Sequence, residues 1–439
     1  MNTPICDFVN KYCEKDVLRF HMPAHKGKNV LGVEDKDITE ISGADSLFEA
    51  NGIIAESESN ASMLFGSHTF YSTEGSSHCI RAMLYMVKML GCKQIIATRN
   101  SHKTFLTALA LLDIDVEWLF PSDDSHYLSS NIDTLKLDEL LSNQDGVKAV
   151  YITTPDYLGN ITDVSEISKI CRKHNAFLLV DNAHGAYLKF LKKSLHPIDM
   201  GADLCCDSAH KTLPVLTGGA YLHVSNDTDA RFKQLAKNAL SLFGSTSPSY
   251  LILQSLDMAN AYLSDGYREK LADFIAEVNK AKAALTKNGY TLSGNEDLKI
   301  VIKAKDYGYY GTEIAAFLEQ NNIICEFADK DFLVLMLSIE NGVESLTKLV
   351  DVMSKIQKKV KINETVPILE ISKRAKSVRE AVFSESEVID IKDSIGRISA
   401  QFNIPCPPAV PIVVCGEIIS ENAVKCFEYY HTETISVIK

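Results

Sequence analysis

Lys211 stands just past an apolar stretch, in Gly201-Ala-Asp-Leu-Cys-Cys-Asp-Ser-Ala-His-Lys-Thr-Leu-Pro214. The stretch reads as a buried strand ending in a small polar loop that presents Ser208, His210 and Lys211 together. A lysine in such a place is ordinarily a solvated surface group. What alters the reading is a second strand end 30 residues earlier, Phe177-Leu-Leu-Val-Asp-Asn-Ala-His-Gly185. An acid, Asp181, closes one strand and a lysine follows another. Pyridoxal phosphate (PLP) chemistry requires this pair. The amine forms a Schiff base with the aldehyde, and the carboxylate keeps the pyridine nitrogen protonated so that the ring accepts electrons. Lys211 must then give up its proton, and both burial and the covalent link disfavour a free ammonium there.

Thr73-Glu-Gly75-Ser76-Ser77 opens a helix and offers a phosphate cradle, because N–H groups point out of a helix start and its dipole favours an anion. Taken alone, paired serines before a helix are usually only a cap. Ser208 and His210 add donors from the lysine loop. Asp181 has a plain reading as a cap for the next turn and a functional one as partner of the pyridinium nitrogen. His102 opens a helix either as a surface cap or as a ring stacked on the pyridine face. His184 reads as a core hydrogen bond or as a partner of the cofactor hydroxyl.

The elements that must position these residues alternate. Helices are expected near 78–90, 104–112, 134–142 and 163–174, and strands near 93–98, 116–120 (closed by Pro121), 147–153, 177–181 and 203–207. That alternation predicts a parallel sheet with helices on both faces. Ligands of such sheets sit at the carboxyl ends of the strands, where the motifs at 73–77, 100–104, 153–159, 181–185 and 207–211 all fall. Gly218–Val224 reads as an antiparallel strand because its connection is short, and Ser245–Tyr250 caps a long helix. The domain division predicted is an N-terminal arm over 1–60, a large PLP-binding domain over 61–265 and a small C-terminal α/β domain over 266–439. The arm carries little helical or strand periodicity, unusual for so long a segment unless it is functional or packs on a partner. A proline cluster, Pro405-Cys-Pro-Pro-Ala-Val-Pro411, marks the tail.

With 439 residues the chain buries a large core, and a formal net charge of −12 argues against nucleic acid or an anionic membrane as partner. There is neither an apolar run long enough for a membrane span nor a basic-then-apolar N-terminus. The 11 cysteines, odd in number and without a repeated spacing, predict reducing cytoplasm, and no Cys/His cluster has metal-ligand spacing.

Taken together, the stretches resemble the Orn/Lys/Arg decarboxylase family. The matching pieces are Phe20-His-Met-Pro-Ala-His-Lys-Gly27, Asp37-Ile-Thr-Glu40, Asp45-Ser-Leu-Phe48, Thr73–Ser77, Arg99-Asn-Ser-His-Lys-Thr104, Val180–Gly185, Ser208-Ala-His-Lys-Thr-Leu213 and Ser245-Thr-Ser-Pro-Ser-Tyr250. Pro407–Pro411 with Gly416-Glu417 match more loosely. The resemblance implies PLP fold type I, with a mostly parallel seven-stranded sheet, in the short form of the family without its N-terminal wing domain. It implies that Lys211 is the Schiff-base lysine, Asp181 the ring-nitrogen partner and His102 the stacking ring, with His184 beside the cofactor. Gly75, Ser76, Ser77, Ala183, Ser208, His210, Ser245 and Thr246 complete the cofactor site. His21, His25, Asp45 and Glu417 are candidate substrate contacts. A cytoplasmic homodimer, or a dimer of dimers, with a shared active site is implied, the arm and the 245–250 loop crossing between subunits.

Departures from the family pattern are Asn182 where glutamate is common, Asp156 where threonine is, Gly218-Gly219, Ala409 and Cys415. The expected reaction is loss of carbon dioxide from lysine, ornithine or arginine, giving a polyamine-type product. Transamination, β-elimination and a silent regulator remain alternatives at this point.

Overall fold

The computed structural model describes all residues except 16, 121–126, 130, 368–369 and 405–407. The expected closure at Pro121 and the start of the proline cluster lie outside the described residues. Seven strands make up a mostly parallel α/β sheet: β1 (His68–Ser72), β2 (Gln94–Thr98), β3 (Asp115–Leu119), β4 (Lys148–Thr153), β5 (Ala176–Asp181), β6 (Leu204–Asp207) and β7 (Ala220–Val224). The chain divides into two compact units, Met1–Gly91 with Phe177–Lys270, and Cys92–Ala176 with Leu271–Lys439.

In the first unit β1, β7, β6 and β5 lie side by side in that order. β5 and β6 are parallel, with Asp181 opposite Cys206. β7 runs antiparallel to both β6 and β1, as its short connection requires. Every position of β6 and β7 is buried. Continuous apolar runs such as Leu204-Cys-Cys are what a strand covered on both faces needs. Helix Gly75–Met89 leaves β1 and buries Cys79, Ile80, Met83, Leu84, Met86 and Val87 while packing on helix Ala230–Phe243. Each such side chain contributes roughly 1.5–3 kcal/mol when removed from water.

The N-terminal segment is more regular than its sequence pattern. Helices form at Pro4–Cys13 and Ile53–Phe65. Both get their end groups from outside the local sequence. Ile5 and Cys6 donate their N–H groups to Asp257 Oδ2, each at 3.0 Å, from a residue about 250 positions away. Asp45 supplies the acceptor for the second helix. Helix Ala230–Phe243, also not anticipated, starts on Asp229, which accepts from Arg231 N.

In the second unit β4, β2 and β3 are parallel neighbours. Phe105 of helix Lys103–Leu112 stacks on Tyr151 of β4 with ring centroids 4.2 Å apart. The expected small α/β part is present as a four-stranded antiparallel sheet of Phe327–Ala328, Phe332–Met336, Lys299–Lys303 and Leu292–Ser293. Helices Gly311–Gln320 and Gly342–Ser354 accompany it. The tail adds a strand pair, Ser386–Asp390 with Thr434–Ile438. Among the described residues no helix is long and apolar enough to cross a membrane.

Candidate active site

Parallel pairing of β5 and β6 puts the turn after Asp181 beside the turn after Asp207. Asp181 is 2% exposed. Its Oδ1 accepts from Ala183 N at 3.2 Å and lies 3.7 Å from the Cys206 thiol. The next turn carries His184, whose Nε2 lies 2.9 Å from Lys211 Nζ. An acid, an imidazole and an amine from two distant stretches thus gather at adjoining strand ends.

The phosphate side of the site is assembled from the 73–77 turn. Gly75 takes a left-handed φ of 73° and donates its N–H to Gly218 O at 2.7 Å. A Cβ at Gly75 would meet nothing within 4 Å, so there is open space before this helix start. The N-cap residue, Glu74, makes no side-chain cap bond to the helix. Ser208 donates its hydroxyl to Ser76 Oγ at 2.8 Å, both side chains being buried. Ser245 N donates to Glu74 Oε1 at 2.5 Å, bringing the 245–250 loop to the same helix start. Ser77 is half-buried there, and Thr246 is exposed.

PLP fits this set. A ring nitrogen needs a dry carboxylate, a phosphate needs small hydroxyls at an uncapped helix start, and the aldehyde needs an amine. Each is present on the first unit.

His210, expected to contact the phosphate, is tied to the strand-turn backbone. Its backbone N–H and its ring Nδ1 both go to the Gly219 carbonyl, at 3.2 and 3.0 Å. Burial pushes its imidazole below the ordinary value, despite the Gly219 bond. Through these two bonds His210 secures the lysine turn.

Asp45 and Glu417, expected to contact substrate, are both held by bonds within the protein. The Asp45 carboxylate accepts five backbone N–H bonds, from Ser46, Asn51, Gly52, Ile54 and Ala55. It builds the entry of helix Ile53–Phe65 and is 6% exposed. In the second unit Glu417 Oε2 pairs with Arg99 at 2.9 Å and accepts from Val414 N at 2.8 Å, with both charged side chains buried. His21 bonds Tyr12 through Nε2 at 2.7 Å, and His25 faces Asp37 at 3.2 Å, both on the first unit. His102, on the second unit, caps helix Lys103–Leu112: its Nδ1 accepts from Thr104 N at 3.1 Å.

Sequence reading missed a buried set on the first unit, His196, Asp207 and His223. Both imidazoles reach Asp207 Oδ2 through Nε2, at 3.0 and 3.1 Å. The separations of 11 and 16 residues follow no motif, so only the strand pairing reveals the set.

Residues 3–305 match the Orn/Lys/Arg decarboxylase major domain, and residues 356–435 match the C-terminal domain of the same family. An arginine decarboxylase of Bacillus subtilis is 29% identical over 460 residues, covering 96% of this chain and 92% of that protein. A B. subtilis protein called YaaO, itself uncharacterized, is 29% identical over 453 residues, covering 97% and 93%. In three dimensions the chain resembles the lysine decarboxylase LdcF of Francisella novicida, with a TM-score of 0.82 and 16% identity over all of this chain and 81% of that one. Lysine decarboxylase A of Pseudomonas aeruginosa gives 0.82 at 18% identity, over 99% and 80%.

Proposed function

Because the chain belongs to the Orn/Lys/Arg decarboxylase family, and so is a PLP-dependent decarboxylase of basic amino acids, we propose that Lys211 and Asp181 carry its chemistry and that arginine is its substrate. The observation that carries the residue assignment is the Lys211–His184 contact beside buried Asp181. Arginine leads over lysine and ornithine because curated relatives matching nearly the full chain are named arginine decarboxylases.

When bound, PLP supplies an aldehyde that takes up an amine and a ring that accepts the electron pair left by departing carbon dioxide. Lys211 offers Nζ as the attaching amine. His184 Nε2, at 2.9 Å, is placed to take the proton that Nζ must lose. Asp181, dry and fixed at Oδ1, keeps a proton on the ring nitrogen as its opposite charge. Ser76, Ser77 and Ser208 with the N–H groups of helix Gly75–Met89 hold the phosphate.

We read the chain as a cytoplasmic homodimer active in polyamine synthesis, with an arm over 1–60, a PLP-binding part over 61–265 and a small domain over 266–439. Support for the dimer is the exposed apolar character of the arm: Leu18, Phe20, Val30 and Leu31 are 79–93% exposed. Such a cluster is costly in water and favours cover by a second copy. Incubating the PLP-loaded enzyme with arginine, lysine and ornithine tests the substrate. Carbon dioxide and agmatine from arginine support the reading, and product from lysine or ornithine alone rejects it.

A further inference from the structure

The turn 181–185 and the turn 207–211 meet at two places. At the outer one His184 reaches Lys211. At the inner one Asn182 donates its Nδ2 to Asp207 Oδ1 at 2.7 Å, with both side chains fully buried. The other carboxylate oxygen, Oδ2, accepts from His196 and His223. His223 is oriented in turn through Nδ1, which lies 2.9 Å from the Thr69 hydroxyl. The ring of Phe65 lies against both imidazoles, with centroids 5.6 and 4.6 Å away.

A dry carboxylate stays ionised only with several donors, and Asp207 has three nitrogen donors with the Cys205 thiol 3.7 Å from Oδ1. Burial alone would raise it, but the two imidazoles outweigh that and hold it below the usual carboxylate range. Asn182 also shapes its own turn. A Cβ on Gly185 would lie 2.0 Å from Asn182 Oδ1, so the amide fills the room a side chain there would need. Gly185 N donates to Asn182 O at 2.8 Å. Where Asn182 sits therefore decides where the turn presents His184.

We propose that Asp207 is a positioning residue for the decarboxylation: clamped by His196 and His223, it grips Asn182 and so keeps the turn bearing Asp181 and His184 in register with Lys211. The inference rests on the roles proposed above for those three residues. It gives Asn182, a departure from the family pattern, a physical partner. A glutamate at 182 would face a buried carboxylate.

The test is a charge swap. Asn182→Asp sets two carboxylates against each other. Adding Asp207→Asn restores the match: the amide introduced at 207 donates to the new carboxylate, and its oxygen still accepts from both imidazoles. The readouts are affinity of the apoprotein for PLP, the visible band of the lysine-bound cofactor, kcat and KM. Asn182→Asp is expected to weaken PLP affinity and lower kcat by about tenfold or more, with KM within about threefold. The double variant is expected to return both to within about threefold of the parent. If Asn182→Asp does not fold, Asn182→Ala removes the bond without adding charge and is expected to act in the same direction. Parent-like affinity and band in the single variants, or a folded double variant no better than Asn182→Asp, overturn the proposal. Lys211→Ala separates the two failures. If it is inactive while the Asn182 variants behave like the parent, Asp207 alone is misassigned. If it turns over, the reading beneath the proposal falls.

Discussion

Nζ of Lys211 lies 2.9 Å from Nε2 of His184, although the two residues are 27 positions apart on separate turns. The parallel pairing of β5 with β6 makes this contact, with Asp181 opposite Cys206. An imidazole lone pair beside an amine is placed to accept the proton that the amine must shed before it attacks.

His184→Gln is therefore expected to lower kcat by roughly 10²–10⁴ while leaving KM nearly unaltered. Steady-state kinetics on PLP-loaded protein decides this. A variant whose kcat stays at the parent value would show that His184 serves only the fold.

Asp181→Asn keeps the size of the side chain and removes its charge. PLP should still bind, because the phosphate is held by the 73–77 turn and Ser208. Turnover should fall by about 10²–10³, since the group that stabilises positive charge on the ring is lost. Equilibrium PLP binding measured beside kcat separates the two effects, and unimpaired turnover would reject the role.

Asp45 and Glu417 should affect stability, not substrate affinity. Asp45→Ala removes the acceptor of five backbone N–H groups. Loss of a cap of this kind costs about 1–2 kcal/mol. Glu417→Ala leaves Arg99 buried without its carboxylate, at a cost of about 3–5 kcal/mol. Denaturant unfolding should register both losses while KM of the folded variants stays put. A large KM increase at unaltered stability would return these residues to the substrate.

Stability should decline as pH falls below neutrality. Burial pushes the imidazoles of His78 and His223 below their ordinary value of 6.5. The unfolded chain then binds more protons than the folded one just below that value, so stability is full above it and is lost as pH drops toward the folded values. Thermal melting between about pH 7 and pH 5 should show the decline, and His78→Gln should flatten it. A melting temperature rising on acidification over this range would contradict the sign.

Much of the architecture was legible because parallel strands buried on both faces read as short apolar runs. Strand β5, Ala176–Asp181, lies where the run 177–181 predicts, and β7 is antiparallel as its short connection demands. The placement of Asp181 and Lys211 at neighbouring strand ends was legible because each follows closely on such a run. The early helices were not, since Asp257 and Asp45 reach their N–H groups from outside the local pattern. His196, Asp207 and His223 were invisible for a related reason: they meet only when β6 pairs with β7 and the loop before β6 folds onto them. The pairing of Glu417 with Arg99 was not legible, because the two lie 318 positions apart.

Reductive trapping decides whether Lys211 carries the cofactor. Borohydride treatment of the PLP-loaded enzyme, followed by peptide mass mapping, should place the pyridoxyl group on Lys211. The Lys211→Ala variant should take up none and lack the visible band. A pyridoxyl group on another lysine of the parent protein, or trapping that survives Lys211→Ala, would contradict the account.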